Sequence, residues 1–302
     1  RLDIGISGRW QKFETAAQFL VAAESALDDA KRSAGEKLAL YDPASARAVI
    51  RAQTIERNLW NALDHGEISI LYQPLVDLAS QRIVSAEALI RWNNRELGFV
   101  GPDEFIPIAE QSGTIEMLGR HVLRQACASA ATWPEDLAVS VNVSAEQIAR
   151  GNLVKDVEDA LSFSGIAARR LTLELTETAV MPHDPLSLEQ ISELRKRGIE
   201  VAIDDFGTGF AGYEQLALLP IDTIKIDRVF VTDIIKDEKS RAIVHSIATL
   251  AKGLDLKVVA EGIEEEGQIA LLRLAGCSKG QGYYFGKPMN ATDLLGLVEK
   301  AA

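Results

Sequence analysis

The stretch Val201–Asp227, VAIDDFGTGFAGYEQLALLPIDTIKID, decides the fold. VAIDDF is a β-branched and aliphatic run ending in two carboxylates, and TIKID is a second run that carries a lysine. The spacing predicts strands over 200–206 and 223–227, with a helix over 211–218 between them. Working outward, the same pattern recurs in ILYQPLV, VSAEALI, VSVNVS, LTLELTE and VVAEGI. Their polar members, with those of the central stretch, are Glu87, Asn142, Glu174, Asp204, Asp205, Lys225 and Glu261. An unpaired buried carboxylate costs several kcal/mol, comparable with a domain's whole margin of stability, so apolar strands do not carry such residues idly. The series calls for an ion.

Six further strands are expected over 68–78, 83–92, 137–144, 171–177, 257–263 and 281–286, making eight. Helices are expected over 103–132 in two pieces, 145–163, 187–197, 239–253, 264–275 and 291–301. Strands and helices alternating over roughly 235 residues match a TIM-type (β/α)8 barrel of about 250 residues, an α/β fold. The turn from Leu78 to Arg82 is too short for a parallel crossover, so one of the first two strands is antiparallel to the rest and the barrel is irregular. In such a barrel the C-terminal strand ends share one rim, which gathers the polar series and Gln281 about one centre.

A 302-residue chain with 47% hydrophobic residues buries an ordinary core. Its formal net charge of −12 excludes a general nucleic-acid binder, which needs basic surface. An anionic substrate then requires metal ions or a few placed cations. No apolar run approaches the ~20 residues of a membrane helix, and Cys127 and Cys277 form no CxxC, which predicts a reducing, cytoplasmic setting for this segment. The chain opens at Arg1 without a signal-peptide pattern and reads as a piece of a longer protein. Residues 1–45 carry a short strand, LDIGIS, and an amphipathic helix, too little to fold alone; a helical linker over 46–57 leads to the main body at 58–302.

Ligation by carboxylates and one carboxamide, without Cys or His, suits a hard cation such as Mg²⁺ or Mn²⁺. Histidines 65, 121, 183 and 245 fall in helices or loops. Five acidic groups exceed the need of one divalent ion and suggest two, about 3.5–4 Å apart and sharing a carboxylate. Asp204 and Asp205 face opposite sides of a regular strand, so both reach the ions only if the strand ends between them.

The segments YQPLVDL, EALIRW, GPDEFIPIAE, VNVS, ELTE, DDFGTGF, IKIDRVFV, AEGIEEEGQ and QGYYFGKP, in this order, resemble an EAL-domain cyclic di-GMP phosphodiesterase. The resemblance runs from about Asn58 to Pro288 and implies a metal-dependent barrel that opens cyclic di-GMP to linear pGpG. It implies that Glu87, Asn142, Glu174 and Asp204 hold one ion and Asp204, Asp205 and Glu261 the second. Lys225 is similar in place to the lysine that orients or deprotonates the attacking water, with a structural partner for the carboxylates as the alternative. Arg91, on the same strand face as Leu89 and Glu87, offers a fork to a phosphate oxygen. Gln73, Asp227 and Gln281 resemble residues that contact substrate or line the site. Glu264 either meets a guanine edge or simply caps a solvated helix. Glu177 resembles the glutamate that braces the loop after DDFG, where in this chain the aromatic Phe210 is followed by Ala211 and Gly212 in place of the usual two serines. A homodimer through this domain is also implied, and a cyclic di-GMP receptor without turnover is the alternative function.

Gly207, Gly209 and Gly212 also spell GxGxxG. Two aspartates directly ahead of it would repel a pyrophosphate, which argues against a dinucleotide fingerprint. LDIGIS and AESALDDAKRSAG resemble the end of a GGDEF domain in degraded form, so residues 1–45 are expected to be the C-terminal fragment of one.

Overall fold

The computed structural model describes residues 4–7, 15–32, 38–150, 152–180, 185–207, 216 and 218–301. At the N-terminus, β1 (Ile4–Ile6) pairs in parallel with β2 (Leu38–Leu40), joined through the helix Ala16–Arg32. Ala22, Ala26 and Ala30 recur every four residues, and all three are buried. The helix Pro43–Leu59 then runs unbroken through the expected linker. Its last turns and the turn after it enter the main body: Ile55, Leu59 and Ala62 are fully buried with Trp92 and Phe105, whose rings meet edge-on at 5.5 Å.

The main body is built on β3 (Ile68–Asp77), β4 (Ile83–Asn94), β5 (Gly98–Val100), β6 (Ala138–Val143), β7 (Leu171–Thr176), β8 (Glu200–Phe206), β9 (Thr223–Ile226), β10 (Lys257–Ala260) and β11 (Lys279–Gln281). The order β3-β11-β10-β9-β8-β7-β6-β4 closes on itself because β3 also pairs with β4. β3 is antiparallel to both of its neighbours and all the other barrel pairs are parallel, so the barrel is irregular in the expected manner. Helices pack outside it, and buried Val, Ile and Leu from strands and helices form the larger core, beside the cluster around Trp92 and Phe105.

Two expectations need correction, and one strand is unexpected. The strand expected at 281–286 is Lys279–Gln281, after which the chain turns at Gly282, so close to Ile263 that a Cβ there would lie 2.0 Å from the Ile263 carbonyl oxygen. A short strand that periodicity could not flag, β5, pairs back on the end of β4. The single helix expected over 145–163 is two, Ala145–Ala149 and Leu153–Ser164; Ser144 opens the first with a capping box to Gln147. The helix expected over 211–218 and residues Phe210, Ala211 and Gly212 lie outside the described residues, apart from Leu216 and Leu218.

Candidate active site

Strand register assembles the site. Gln73 stands opposite Glu87 across β3 and β4, and Asn142 opposite Glu174 across β6 and β7. Lys225 pairs with Val259 on β10, two residues before Glu261, so their side chains share the inner face. Lys225 is 1% exposed. Its Nζ lies 2.7 Å from Glu174 Oε2, 2.7 Å from Glu261 Oε1, 3.0 Å from Asp204 Oδ1 and 3.7 Å from Glu87 Oε2. Glu87 is held from both sides: Asn142 Nδ2 donates to Oε1 at 2.7 Å and Gln281 Nε2 donates to Oε2 at 2.7 Å. The Gln281 amide oxygen, Oε1, is buried without a hydrogen-bond partner.

The consecutive aspartates obey a local device. The β8–β9 register slips between Ile203 and Phe206, and Asp205 adopts φ +53°. This breaks the pleat alternation after Asp204, and the Asp205 carboxyl comes close enough to Asp204 and Asp227 for both to perturb it. Left-handed backbone at a non-glycine residue costs energy, and this site spends it to bring both acids to one side.

Electrostatics record the crowding. Burial drives the Glu174 carboxyl up to about 8, with Glu87 and Asp204 adding to it and Lys225 opposing. Burial and the adjoining Asp204 and Asp227 raise Asp205 to about 6. Burial also lifts Glu261 well above the ordinary range. Burial pulls the Lys225 ammonium down, but Asp204, Glu174, Glu261 and Glu87 outweigh it and hold it well above a free lysine. One ammonium does not balance five acids.

Two acidic trios share Asp204: Glu87 with Glu174 and Asp204, and Asp204 with Asp205 and Glu261, each with ligand atoms within 4.8 Å of one another. The donors are oxygens only, and their common member stands where a bridging carboxylate would. The residues therefore fit hard divalent cations.

Two cavities flank the acids. One, of about 200 Å³, is lined by Gln73, Glu87, Asp204, Arg228, Glu261, Gly262, Glu264, Gln281, Gly282 and Tyr283. The other, of about 490 Å³ and mainly apolar, is lined by Leu89, Arg91, Asn142, Ser144 and Thr176 together with the helices Pro102–Ser112 and Ile115–Ala130. Gln73 Nε2 donates to Gly286 O at 3.3 Å, and Arg91 Nη1 donates to Ile90 O at 2.8 Å. Leu89 and Arg91 thus belong to a different cavity from Gln73, Glu264 and Gln281. Asp227 accepts from Val229 N at 2.7 Å, capping the short helix Arg228–Val231. Glu177, 4% exposed, accepts from Gly207 N at 3.4 Å, at the start of the loop it is expected to brace.

A family model described as EAL domain matches residues 56–288. This chain belongs to the EAL domain family. Among curated relatives, the cyclic di-GMP phosphodiesterase NbdA of Pseudomonas aeruginosa is 36% identical over 294 residues, covering 95% of this chain and 37% of the relative. The cyclic di-GMP phosphodiesterase PdeR of Escherichia coli is 36% identical over 272 residues, covering 89% of this chain and 41% of the relative. A solved structure described as PaMucR phosphodiesterase in complex with c-di-GMP superposes with a TM-score of 0.76 at 36% identity, covering 80% of this chain and all of that one. The EAL enzyme Bd1971, with cAMP and cyclic di-GMP bound, gives 0.78 at 33% identity over 83% of this chain and 70% of that one. The chain spans about a third to a half of the length of the curated relatives it matches.

Sequence reasoning missed two residues of this EAL domain. Arg228 lines the smaller cavity, and its place there comes from the loop after β10 folding across it: Gly262, at φ +72°, packs so near that a Cβ would lie 2.4 Å from Arg228 Cβ. Gln268 is 2% exposed, and its amide makes four bonds. Its oxygen accepts from Glu264 N at 2.8 Å and Glu265 N at 2.9 Å, while its nitrogen donates to Val231 O at 2.9 Å and Thr232 O at 3.2 Å. It ties the loop bearing Glu261 to the helix behind Lys225. Only its place in EGIEEEGQ, before an apolar run, signalled a helix start.

Proposed function

We propose that this EAL barrel hydrolyses one phosphodiester bond of cyclic di-GMP to give linear pGpG, with two Mg²⁺ or Mn²⁺ ions as cofactors. The observation that carries this reading is the pair of acidic trios sharing Asp204 around a buried lysine at the strand ends. The names of NbdA and PdeR and the ligand of the PaMucR structure support the same substrate.

Glu87, Asn142, Glu174 and Asp204 would hold one ion and Asp204, Asp205 and Glu261 the other; bound there, divalent cations supply charge neutralisation on the phosphodiester and a water acidified towards neutrality. The chain's own residues do the rest. Lys225 directs its ammonium N–H groups at the Glu174, Asp204 and Glu261 oxygens and orients the attacking water among them. Asn142 and Gln281 fix both oxygens of Glu87, so its orientation precedes binding. Arg91 presents a planar fork to a phosphate oxygen, and Leu89 gives its cavity an apolar wall. Gln73, Asp227 and Glu264 contact or border the substrate. Glu177 braces the loop that starts at Gly207.

In its wider setting, we take residues 1–45 to be the end of a GGDEF-like domain, 46–57 a linker and 58–302 the hydrolase, acting as a homodimer in the cytoplasm. Among the described residues no helix is long and apolar enough to cross a membrane.

Product release tests the reading. Purified chain incubated with cyclic di-GMP is expected to yield pGpG with Mg²⁺ or Mn²⁺ and none with a chelator. Binding without turnover in both metals overturns hydrolysis in favour of the receptor.

A further inference from the structure

We propose that Arg228 recognises the half of the cyclic dinucleotide that is not being cleaved, its guanidinium meeting the second phosphate. This rests on the reading of the substrate given above.

The substrate carries two phosphates, and the acidic trios and their ions can serve only the one that reacts. The second arrives beside a cavity whose described lining includes Glu87, Asp204, Glu261 and Glu264. Without a cation there, the second phosphate meets net repulsion and binding suffers. Lys225 is spent, enclosed by four carboxylates with 1% of its surface exposed. Arg91 opens onto the other cavity and donates to the Ile90 carbonyl. Arg228 is the remaining cation among the described residues that line this space.

Its stem and head are placed differently. Gly262 packs against the Arg228 Cβ, so the loop carrying Glu261 and Glu264 holds the base of the side chain. Arg228 is exposed, and its guanidinium enters no ion pair within 4.0 Å among the described residues, although carboxylates line the same cavity. A stem fixed against a metal-ligand loop, with five N–H donors uncommitted, suits a phosphate that comes and goes with the substrate.

The test compares two phosphodiesters in the presence of Mn²⁺: cyclic di-GMP, and bis(p-nitrophenyl) phosphate, which has no second phosphate. For Arg228→Ala the preference for cyclic di-GMP, taken as the ratio of the two kcat/KM values, is expected to fall about tenfold or more, through KM rather than kcat. Arg228→Lys, which keeps the charge and loses the fork, is expected to restore part of that preference. An unchanged ratio overturns the assignment, whether both activities stay as they were or both fall together, because a purely structural residue affects the two diesters alike. A wild-type chain that cleaves bis(p-nitrophenyl) phosphate but not cyclic di-GMP overturns the substrate reading itself, and with it the role of Arg228. That result is distinct from a wild-type enzyme whose selectivity ignores the substitution.

Discussion

The two ends of the barrel carry ionic residues on the same strands, and they treat them oppositely. At the N-terminal end, Glu200 of β8 accepts from Thr223 Oγ1 at 2.6 Å and from Lys257 Nζ at 2.9 Å. Beside it both Asp222 oxygens accept from Arg195, Oδ1 from Nη2 at 2.6 Å and Oδ2 from Nε at 3.1 Å, and Oδ2 also accepts from Val201 N. Glu200 and Asp222 each have their own cation, beside a cavity of about 560 Å³, larger than either cavity at the other end. At the C-terminal end, Asp204 of β8, Lys225 of β9 and Glu261, directly after β10, join Glu87 and Glu174 about a single ammonium. Stability explains the paired end. The unpaired surplus of carboxylate is what marks the other end as functional, and neither cavity size nor the mere presence of charges would have separated them.

Removing a carboxylate from the surplus is expected to have the largest effect. Glu87→Ala takes a ligand from the first trio and should lower pGpG release by about a hundredfold or more; near-normal turnover would show that the surplus is not a cation site. Replacing the single ammonium probes the same imbalance differently. Lys225→Met is expected to slow hydrolysis by roughly 10²–10⁴-fold. It should also destabilise the metal-free protein by about 3–5 kcal/mol, since it strands buried charges. Saturating Mn²⁺ should return part of that loss, read as a rise in melting temperature, because cations replace the missing positive charge. Lys257→Met at the paired end, whose ammonium is half exposed, should cost about 1 kcal/mol or less with no metal dependence and no loss of turnover. Equal metal dependence at both ends would erase the contrast.

Much of this contrast is readable in the chain, for a physical reason. A carboxylate inside VAIDDF or LTLELTE violates the composition of an apolar strand, and the violation is local. The gathering of the acids on one barrel rim follows from it. The antiparallel strand among the first two follows instead from the short turn from Leu78 to Arg82, and the division into two trios from the resemblance to the EAL family. What stays hidden depends on contacts between segments distant in sequence. The slip between Ile203 and Phe206 that brings Asp205 round is set by pairing with β9. The early end of β11 is set by Gly282 meeting the backbone of Ile263. Arg228 gains its place only when the loop after β10 folds over it, and Gln268 only when that loop meets the carbonyls of Val231 and Thr232. No periodicity encodes which carbonyl a side-chain amide will find.

Gln268 sharpens the comparison by acting on the unpaired end without belonging to it. Gln268→Leu preserves volume but loses all four amide bonds, leaving the loop from Glu261 to Glu265 untied from the helix behind Lys225. The expected cost is about ten- to a hundredfold in kcat/KM, the range for residues that orient metal ligands. More Mn²⁺ should then be needed for half-maximal activity. Gln268→Glu, which keeps the acceptor and loses both donors, should fall between. A uniform loss of melting temperature with an unshifted metal curve would reduce Gln268 to a packing residue.

The smallest expected effect concerns a third way of keeping a buried acid. Glu67, 7% exposed, lies at the far end of the β3–β4 ladder and accepts from Trp92 Nε1 at 3.1 Å, Asn94 Nδ2 at 2.9 Å and Arg95 N at 3.3 Å. Burial by itself would raise its carboxyl, but these donors outweigh burial and hold it below the ordinary value. A folded-state pKa below the unfolded one means that its contribution is fully present above the unfolded value of about 4.3 and is lost as pH falls through the folded value. Glu67→Gln turns an acceptor into an amide facing donors and should cost about 1–3 kcal/mol at pH 7. Because the variant has no proton to gain there, the gap between the two proteins should narrow on acidification below about pH 4. Urea melts of both proteins from pH 7 down to 3.5 measure that gap. A constant gap would mean that these donors, with the Arg95 guanidinium 3.7 Å from Glu67 Oε1, do not hold Glu67 ionised.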